Sequence, residues 1–461
     1  MFRKVSHAAT QLGQPAYVIG GFVRDKILGR PTKDVDIVTV GDGIALAHEV
    51  AALFQPRPHV SFFKTFGTAQ IVIDGLEIEF VGARKESYRF HSRNPEVQPG
   101  TLEDDLLRRD FTINAMAVSL NPGDFGSLLD PFEGRADLER RIIRTPLDPV
   151  QTFSDDPLRM MRAVRFAAQL DFSIDPLVFD AVKSNTERIG IITQERITEE
   201  LNKILLSPKP SVGLDLLYRS GLLSILFPSL VDLAGAEFKD GVGHKDNFYH
   251  TLQVVDNIAP HTDNLWLRWA ALLHDIGKPA TKRFEDGQGW TFHGHEVVGA
   301  KMIGKIFSKM KLPQHEPMRY VRKLVELHLR PISLSSEDIT DSAIRRLLFD
   351  AGDDIDDLMC LCEADITSKN KAKVRRYLSN FELVRKRLKE VEEKDRIRNW
   401  QPPVTGEMIM ETFGLPPGRM VGDLKTLIRE AILDGKIENT YEAAHAFMLE
   451  QAAAMNLTPR H

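Results

Sequence analysis

Apolar and polar residues alternate in four short segments near the N-terminus. This alternation, together with a high content of β-branched residues, is typical of β-strands that have one buried face. The predicted strands are Ala16–Ile19, Asp34–Val40, Thr68–Ile73 and Glu77–Val81.

Helical patterns lie between these strands and then dominate the rest of the chain. Ile44–Phe54 and Leu102–Val118 are predicted helices, and Thr101 with Asp104 resembles a capping box at the start of the second. After Thr145 the strand signals nearly vanish. The predicted fold class is therefore α+β, with a small mixed-sheet head followed by an all-helical body.

Breaks rich in proline, glycine and polar residues divide the helical body. They lie at Ser207–Pro210, at Glu237–Gly243, near Lys369 and at Gln401–Pro403. A chain of this length holds roughly two to four domains of about 100–200 residues each. We predict four segments, 1–145, 146–235, 236–370 and 371–461.

Two carboxylates share one face of the second predicted strand. Asp34 and Asp36 are separated by one residue in a Val/Ile-rich run, so their side chains point the same way. Carboxylates on an apolar strand are costly unless a cation compensates them, and Mg²⁺ commonly lies between carboxylates and substrate phosphates. The upstream Gly20–Gly21 turn lets backbone amides approach a phosphate closely. Together these features predict metal-dependent phosphoryl or nucleotidyl transfer.

Composition and charge narrow the class of protein further. The net charge is −5, so any binding of nucleic acid requires a local basic surface. The two cysteines, Cys360 and Cys362, are too few for a disulfide framework. No apolar stretch reaches the ~18 residues that a membrane span needs, and the N-terminus lacks the apolar region of a signal peptide. We therefore expect a cytoplasmic protein that binds no membrane; no pattern in the chain indicates its oligomeric state.

Further polar residues suit the recognition of a nucleotide. Asp110 and Asn114 are one turn apart in the predicted helix, where they suit a ribose hydroxyl, and Asp156 and Arg159 are spaced to share a helix face. A carboxylate accepts a hydrogen bond from an exocyclic amine, and a guanidinium donates one to a ring nitrogen. Cytosine and adenine present this combination, whereas uracil and guanine present the reverse. We therefore predict that the second pair accepts C and A.

These segments resemble the class II tRNA nucleotidyltransferases, the CCA-adding enzymes of the DNA polymerase β superfamily. The resemblance covers about residues 15–205 and rests on the motifs GGFVRD with DVD, RRDFTINA, DPFEGRADL, DDPLRMMRAVRF and Glu195–Lys203, in family order. One departure is Asp155-Asp156, where the family usually has Glu-Asp. The resemblance implies a polymerase β-like nucleotidyltransferase head at 1–145 and a helical neck that binds nucleotide and RNA at 146–235.

The resemblance also implies roles for individual residues. Asp34 and Asp36 would hold two Mg²⁺ ions, with Glu79 as the third carboxylate and Glu77 as its rival. The residues implied to bind the incoming nucleotide are Gly20, Gly21, Arg24, Arg109, Asp110, Asn114, Asp156, Arg159, Arg162 and Arg165. The implied reaction is the template-independent addition of CCA to the 3′ end of tRNA, from CTP and ATP.

A second set of metal-binding residue types lies in the middle of the chain. Imidazole suits transition metals and carboxylate suits harder ions, so such a set accepts several divalent metals. The set comprises His250, His274, Asp275, His293, His295, His328 and Asp365. It resembles the HD phosphohydrolase domain in its HDIG variant, in which His295 and His328 match the extra histidines of two-metal members. His293 fits no ligand position.

This second resemblance implies an HD domain at 236–370 that binds a divalent transition metal of unknown identity. It implies phosphatase and 2′,3′-cyclic phosphodiesterase activity on RNA ends; a decayed HD fold that serves as a spacer is the alternative. In the helical segment 371–461, Pro402–Ala444 is similar to the tail that holds the tRNA elbow in related enzymes, and a plain helical cap is the alternative.

Three other functions stay open at this point. A bacterial poly(A) polymerase shares the head motifs but usually lacks an HD domain. A partial enzyme adds only A or only C, a distinction that these motifs do not make. The third is a signalling HD phosphohydrolase whose head merely binds nucleotide.

Overall fold

The computed structural model describes residues 1–239, 241–334, 340–368, 370–395, 397 and 400–460. The chain forms two compact units, Met1–Val231 and Asp232–His461. The break predicted near Lys369 falls on a residue outside the described ones. The division into four segments therefore stays a prediction.

The strands of the first unit form a mixed sheet and smaller pairs. They are β1 (Ala16–Ile19), β2 (Asp34–Thr39), β3 (Ser61–Phe63), β4 (Thr68–Ile73), β5 (Leu76–Gly82), β6 (Arg84–Ser87), β7 (Glu96–Pro99), β8 (Ala117–Ser119), β9 (Leu128–Leu129), β10 (Ile142–Ile143) and β11 (Ser173–Ile174). The main sheet has the order β3-β4-β5-β2-β1-β8-β9. Strands β2 and β5 are parallel, and the other neighbours are antiparallel. The four predicted strands are thus confirmed at nearly the predicted bounds.

Helices pack beside this sheet, and the part of the first unit that follows the sheet is almost entirely helical. In the first unit they are α1 (Phe2–Gln11), α2 (Gly21–Ile27), α3 (Gly43–Ala52), α4 (Leu102–Leu107), α5 (Gly134–Arg140), α6 (Pro149–Asp155), α7 (Leu158–Leu170), α8 (Pro176–Asn185), α9 (Gln194–Leu205), α10 (Pro210–Ser220), α11 (Leu222–Leu226) and α12 (Pro228–Val231). After Thr145 the strands of this unit shorten to two residues, as in β11. The predicted change from a mixed head to a helical body is confirmed.

The main sheet has one buried face and one open face over β3, β4, β5 and β2. Helix α3 packs against β4 and β5. The buried face carries Ile37 on β2, Ile71 on β4 and Phe80 on β5. Because side chains alternate along a strand, the residues between them occupy the opposite face. That open face carries the acidic residues of β2 and β5.

The prediction of one helix over Leu102–Val118 was wrong. Helix α4 does begin with the predicted capping box of Thr101 and Asp104, but it ends at Leu107. The backbone N–H of Phe111 then donates to the side chain of Asp110, at 2.8 Å, which interrupts the helical hydrogen bonds. A short 3₁₀ helix and strand β8 follow, because Ala117–Ser119 pairs with β1 and completes the sheet.

The second unit is mostly helical. Its helices are α13 (Asn247–Ile258), α14 (Leu265–Leu273), α15 (Lys278–Thr281), α16 (His295–Lys309), α17 (Glu316–Leu327), α18 (Arg330–Ser333), α19 (Asp341–Ala351), α20 (Ile355–Ala364), α21 (Lys371–Asp395), α22 (Gly406–Phe413), α23 (Arg419–Leu433) and α24 (Tyr441–Ala454). Two small hairpins are formed by β12 (Phe238–Lys239) with β13 (Val242–Gly243), and by β14 (Arg283–Glu285) with β15 (Gly289–Thr291).

Helices α22, α23 and α24 share a core of their own. Ile409, Leu424, Ile428 and Met448 are completely buried in it.

None of the helices in the described part of the chain combines the length and the apolar character that crossing a bilayer demands.

Candidate active sites

Strand register brings four carboxylates together on the open face of the sheet. Asp36 lies directly opposite Glu79, and Asp34 lies opposite Glu77. Alternation along β2 and β5 puts all four side chains on the same face. Glu77 accepts a hydrogen bond from Gln70 at 3.2 Å, which gives this acid a partner of its own. The geometry therefore favours Glu79 over Glu77 as the companion of Asp36.

The electrostatics of this face suit a divalent cation. Burial, and to a smaller extent the charge of Asp34, raises the pKa of Asp36 even though Arg109 opposes the shift. Burial followed by the charge of Asp36 raises the pKa of Glu79. A bound cation relieves repulsion of this kind, and carboxylate oxygens are the ligands that Mg²⁺ prefers. The donor set Asp34, Asp36 and Glu79 thus fits magnesium.

A glycine is required beside these carboxylates. Gly20 has a φ of 72°, a conformation that L side chains rarely adopt, and it precedes α2. A Cβ atom here would lie 3.1 Å from Nη1 of Arg109 and 3.6 Å from Oδ2 of Asp36. Arg109 also forms an ion pair with Asp105 at 3.2 Å. The absent side chain leaves space between a guanidinium and a carboxylate, as a phosphate group would require.

Asp110 and Asn114 do meet, although they do not lie on one helix as predicted. Asn114 donates to Asp110 at 3.1 Å and accepts from Arg24 at 2.6 Å. Arg162 donates to the other oxygen of Asp110 at 2.6 Å. Burial alone would raise the pKa of Asp110, but Arg162 and Asn114 outweigh it and hold the pKa at about 2. The result is a fixed network of charged and polar groups.

Arginines from α2 and α7 surround one aromatic ring on α7. The guanidiniums of Arg24, Arg162 and Arg165 lie 4.9, 5.4 and 4.2 Å from the ring centroid of Phe166. Arg165 also pairs with Glu200 on α9. Because both groups of that ion pair are nearly buried, Arg165 is better placed to support Arg162 than to meet a ligand directly.

Asp156 and Arg159 lie close in the chain, but not on one helix. Asp156 follows α6 in an extended conformation, and Arg159 belongs to the first turn of α7. Asp156 accepts two hydrogen bonds from Arg93, at 3.1 and 2.9 Å. Arg159 donates to the backbone oxygen of Arg108 at 2.7 Å. The pair predicted to select a base is therefore engaged with other protein groups.

A cavity of about 750 Å³ opens beside this pair. Asp110, Asp156, Arg159 and Arg162 line it together with Arg109. The structure thus brings together the residues predicted to bind the ribose and the base. Its volume lies within the range of about 300–1,000 Å³ that is usual for small-molecule sites.

Sequence reasoning missed two residues of this cavity whose side chains hydrogen-bond to the pair predicted to select a base. Arg93 lies in the connection between β6 and β7, and Tyr88 approaches Arg159 with its hydroxyl at 3.4 Å. Burial is the main cause that raises the pKa of Tyr88. Neither residue belongs to a periodic element, so no spacing pattern connects it with residues more than sixty positions later in the chain.

The histidine set converges in the second unit, mostly at helix ends. His250 belongs to α13, His274 follows α14 and Asp275 comes next. His295 begins α16, and His328 and Asp365 directly follow α17 and α20. All six predicted ligands therefore meet in one place. His293 is exposed.

Asp275 lies between two groups of ligands. Its Oδ2 atom is 3.5 Å from Nε2 of His250 and 3.3 Å from Nε2 of His274. Its Oδ1 atom is 3.2 Å from Nε2 of His295 and 3.8 Å from Nε2 of His328. Oδ1 of Asp365 joins the first group, 2.8 Å from Nε2 of His250. Among the described residues, two sets have ligand atoms close enough to hold a metal ion each: His250, His274 and Asp275, and Asp275, His295 and His328.

Hydrogen bonds outside the cluster orient every imidazole ring. Nδ1 of His274 donates to Ala271, Nδ1 of His295 to Phe292 and Nδ1 of His328 to Val325, at 2.6–2.8 Å. Nδ1 of His250 hydrogen-bonds with the hydroxyl of Thr367 at 2.8 Å. All four Nε2 atoms therefore point to the centre, which is the arrangement that metal-binding histidines adopt.

Burial and charge control protonation in this cluster. Burial opposes the charged form of His274, but Asp275 and Asp365 outweigh it and raise its pKa to about 10. In His328 burial prevails and lowers the pKa to about 4, so this ring is neutral near pH 7. The pKa values of Asp275 and Asp365 are lowered because His274 outweighs the effect of burial. A divalent cation would supply the positive charge that His274 otherwise carries.

The two cysteines take no part in this cluster as ligands. Cys362 is buried and donates to the backbone oxygen of His328 at 3.0 Å. Burial raises the pKa of both thiols, so they are poor nucleophiles and poor metal ligands. They are structural groups of α20, as expected for reduced thiols.

Comparison with known proteins assigns the chain to a family. Residues 16–144 match the family described as "Poly A polymerase head domain", residues 171–233 match "Probable RNA and SrmB- binding site of polymerase A" and residues 247–370 match "HD domain". The chain is 37 % identical over 312 residues to the "Multifunctional CCA protein" of Pseudomonas fluorescens Pf-5, which covers 65 % of this chain and 71 % of that protein. The chain belongs to the tRNA nucleotidyltransferase family.

Two further members of this family extend the comparison. The "A-adding tRNA nucleotidyltransferase" of Deinococcus radiodurans is 33 % identical over 76 % of this chain and 79 % of that protein. The solved CCA-adding enzyme of Bacillus stearothermophilus in complex with CTP aligns with a TM-score of 0.68 and 26 % identity, over 98 % of this chain and 97 % of that one. The predicted family and fold class are confirmed. The two domain types imply a need for divalent metal ions.

Proposed function

We propose that this protein adds CCA to the 3′ ends of tRNA, using CTP and ATP in the cytoplasm. The observation that carries this proposal is the open sheet face where Asp36 lies opposite Glu79, next to a cavity that contains Asp156 and Arg159. One end of this arrangement suits metal-assisted transfer and the other suits recognition of a base. The head at 1–145 and the neck at 146–235 together would form this site.

The carboxylates Asp34, Asp36 and Glu79 would hold two Mg²⁺ ions. Bound there, magnesium would lower the pKa of the RNA 3′-hydroxyl and neutralise charge on the leaving pyrophosphate. The protein itself contributes mostly position and charge. The space at Gly20, with Gly21 and Arg24 beside it, would admit the triphosphate, while Arg109 neutralises part of its charge. Asp110 and Asn114 would orient the ribose, with Arg162 and Arg165 fixing their geometry.

Base selection would use groups that are already paired in the protein. Asp156 would accept from the exocyclic amine of cytosine or adenine, and Arg159 would donate to the adjacent ring nitrogen. Both must first exchange their present partners, Arg93 and the backbone of Arg108. No nucleic-acid template is needed, because the protein edge replaces the complementary base.

Replacing Arg159 by Ala is expected to weaken the choice between nucleotides. Each lost polar contact should cost about 1–3 kcal/mol, so discrimination of CTP over UTP should fall by about 5- to 150-fold. The measurement is kcat/KM for each nucleoside triphosphate with one tRNA acceptor. Arg57→Ala, which removes an exposed arginine, serves as the control. Unchanged rejection of UTP and GTP by Arg159→Ala would refute the template role.

We also propose that the HD domain, assigned to 236–370, is a metal-dependent phosphatase and 2′,3′-cyclic phosphodiesterase that acts on RNA ends. The two ligand groups bridged by Asp275 support this assignment, because they suit two divalent transition metals. Repair of a damaged 3′ terminus before addition is a role that links both activities. The complete and oriented ligand set argues against a decayed spacer.

The segment 371–461 would contact the tRNA elbow.

A-only addition is the second candidate function. It is raised by the similarity to the A-adding enzyme of Deinococcus radiodurans, which covers 76 % of this chain. Both functions use the same head residues, so the site geometry does not separate them.

The deciding experiment supplies purified protein with tRNAs that end before, within and after CCA. Each nucleoside triphosphate is added separately, and products are sized at nucleotide resolution. Complete addition requires CTP on the shortest tRNA and ATP on the tRNA that ends in CC. Addition of only A, addition of only C, or a long A tail would each replace the proposal with one of its alternatives.

A further inference from the structure

The open face of the sheet extends beyond the carboxylates to its edge strand. Asp36 lies opposite Glu79, Glu79 opposite Gln70, and Gln70 opposite Ser61. These residues form a row across β2, β5, β4 and β3 on one face. Phe63 is two residues after Ser61, so it occupies the same face at the edge.

Phe63 and Phe66 are unusually exposed for phenylalanines. Their exposed fractions are 58 % and 69 %. Phe62 lies between Ser61 and Phe63 on the opposite face, where its ring meets that of His48. Phe66 follows in the short 3₁₀ helix Lys64–Phe66 and lines the cavity that contains Asp156 and Arg159. Two uncovered aromatic rings thus lie close to both parts of the proposed active site.

We propose that Phe63 and Phe66 form a stacking platform for the last unpaired bases of the RNA 3′ end. The inference rests on the proposed function and adds residues that hold the RNA. Adjacent strands are about 4.8 Å apart, so β3 lies about 14 Å from β2. That distance corresponds to about four stacked nucleotides at ~3.4 Å each. RNA whose terminal hydroxyl reaches Asp36 therefore has bases within reach of Phe63.

Aromatic stacking suits an acceptor end that changes during the reaction. Every base has a stacking face, so aromatic side chains hold single strands without selecting sequence. The same platform therefore serves an end before and after each nucleotide is added. The exposed Lys64 lies between the two rings in sequence and supplies a positive charge for the RNA backbone.

A second copy of this chain is a poorer occupant of the same surface. Pairing between edge strands needs a continuous row of free backbone groups. Strand β3 has only three residues, Ser61–Phe63, and a 3₁₀ helix follows it directly. Dimer formation through this edge is retained as an outcome of the test.

The test compares two tRNAs, one ending in CC and one that lacks the unpaired 3′ tail, both labelled for fluorescence anisotropy. Wild-type protein should bind the tailed tRNA more tightly, and Phe63→Ala with Phe66→Ala should remove between about 5-fold and 100-fold of that preference. The KM for the tRNA ending in CC should rise accordingly, and by a larger factor than the KM for ATP, because Phe66 also lines the nucleotide cavity. Tyrosine at both positions should preserve the preference, whereas leucine should not.

Two controls separate the platform from the proposed function. Phe238→Ala removes another highly exposed phenylalanine, from the second unit, and should change nothing. Asp36→Asn should lose addition but keep the preference for the tailed tRNA. If addition survives in Asp36→Asn, the proposed catalytic site is wrong and the platform stands.

Three results would overturn the platform itself. In the first, Phe63→Ala with Phe66→Ala binds both tRNAs as the wild type does. In the second, the wild type shows no preference for the tail. In the third, gel filtration shows a wild-type dimer that the same double variant no longer forms.

Discussion

Replacing Asp36 by Asn should abolish nucleotide addition while leaving phosphohydrolysis intact. The substitution keeps the shape of the side chain but removes its charge and one strong metal-binding oxygen. Metal ions contribute several kcal/mol to stabilising charge in phosphoryl transfer, so the rate should fall at least about 10³-fold. The measurement is single-turnover addition of CMP to a tRNA that lacks CCA, beside hydrolysis of a 2′,3′-cyclic phosphate RNA end by the same preparation.

A matched pair of variants tests which glutamate completes the site. Glu79→Gln should reduce addition strongly, because Glu79 lies opposite Asp36 and the charges of the two acids interact. Glu77→Gln should have a small effect, since Glu77 lies opposite Asp34 and pairs with Gln70. A larger loss in Glu77→Gln would reverse the assignment. Simultaneous loss of both activities in Asp36→Asn would contradict two independent sites.

The second large effect is expected from His274→Ala combined with Asp275→Ala. Asp275 contributes an oxygen to each ligand group, and His274 supplies a completely buried nitrogen. Removing them should eliminate phosphohydrolysis and lower the bound content of transition metal from two ions to none. Addition of CCA should continue, because its residues lie in the unit Met1–Val231. The measurements are metal content by elemental analysis, hydrolysis of a cyclic phosphate RNA end, and addition.

Because these residues are buried, alanine at both positions could unfold the domain, so a more conservative double variant is needed beside it. His274→Gln with Asp275→Asn keeps nearly the same volume and should also lose metal and hydrolysis, with little change in thermal unfolding. His293→Ala removes an exposed histidine two residues before His295 and should keep both metal and activity. Full hydrolysis in the conservative variant would show that the cluster is not the hydrolytic site.

Patterns among neighbouring residues correctly predicted the structural elements that depend on local sequence. The strands with Asp36 and Glu79 were predicted from alternation, and the capping box at Thr101 was correct. The helix predicted over Leu102–Val118 failed because β1 requires a partner strand, and β8 supplies it. Local propensity carries no information about such a distant partner.

In the candidate sites, too, the sequence predicted which residues take part but not the contacts between distant parts of the chain. The six ligands of the HD cluster were predicted from residue type, order and the resemblance to the HD domain, and they do meet. The bridging position of Asp275 was not predictable, because it depends on how helix ends from distant parts of the chain converge. The partnership of Arg93 with Asp156 also escaped prediction, since a residue between two strands follows no periodic pattern.

Under the proposed function, the hydrogen bonds from Arg93 to Asp156 would turn nucleotide choice into a competition. Each incoming base would meet a carboxylate that already accepts hydrogen bonds from Arg93. A base with an amine could compete for Asp156, because its N–H group can replace one of the two hydrogen bonds from Arg93. Uracil and the corresponding edge of guanine would offer an oxygen instead. A wrong nucleotide would then compete with Arg93 for Asp156 without a hydrogen-bond donor of its own at that position. Accuracy under the proposed function would then depend on Arg93 as well as on the two residues that read the base.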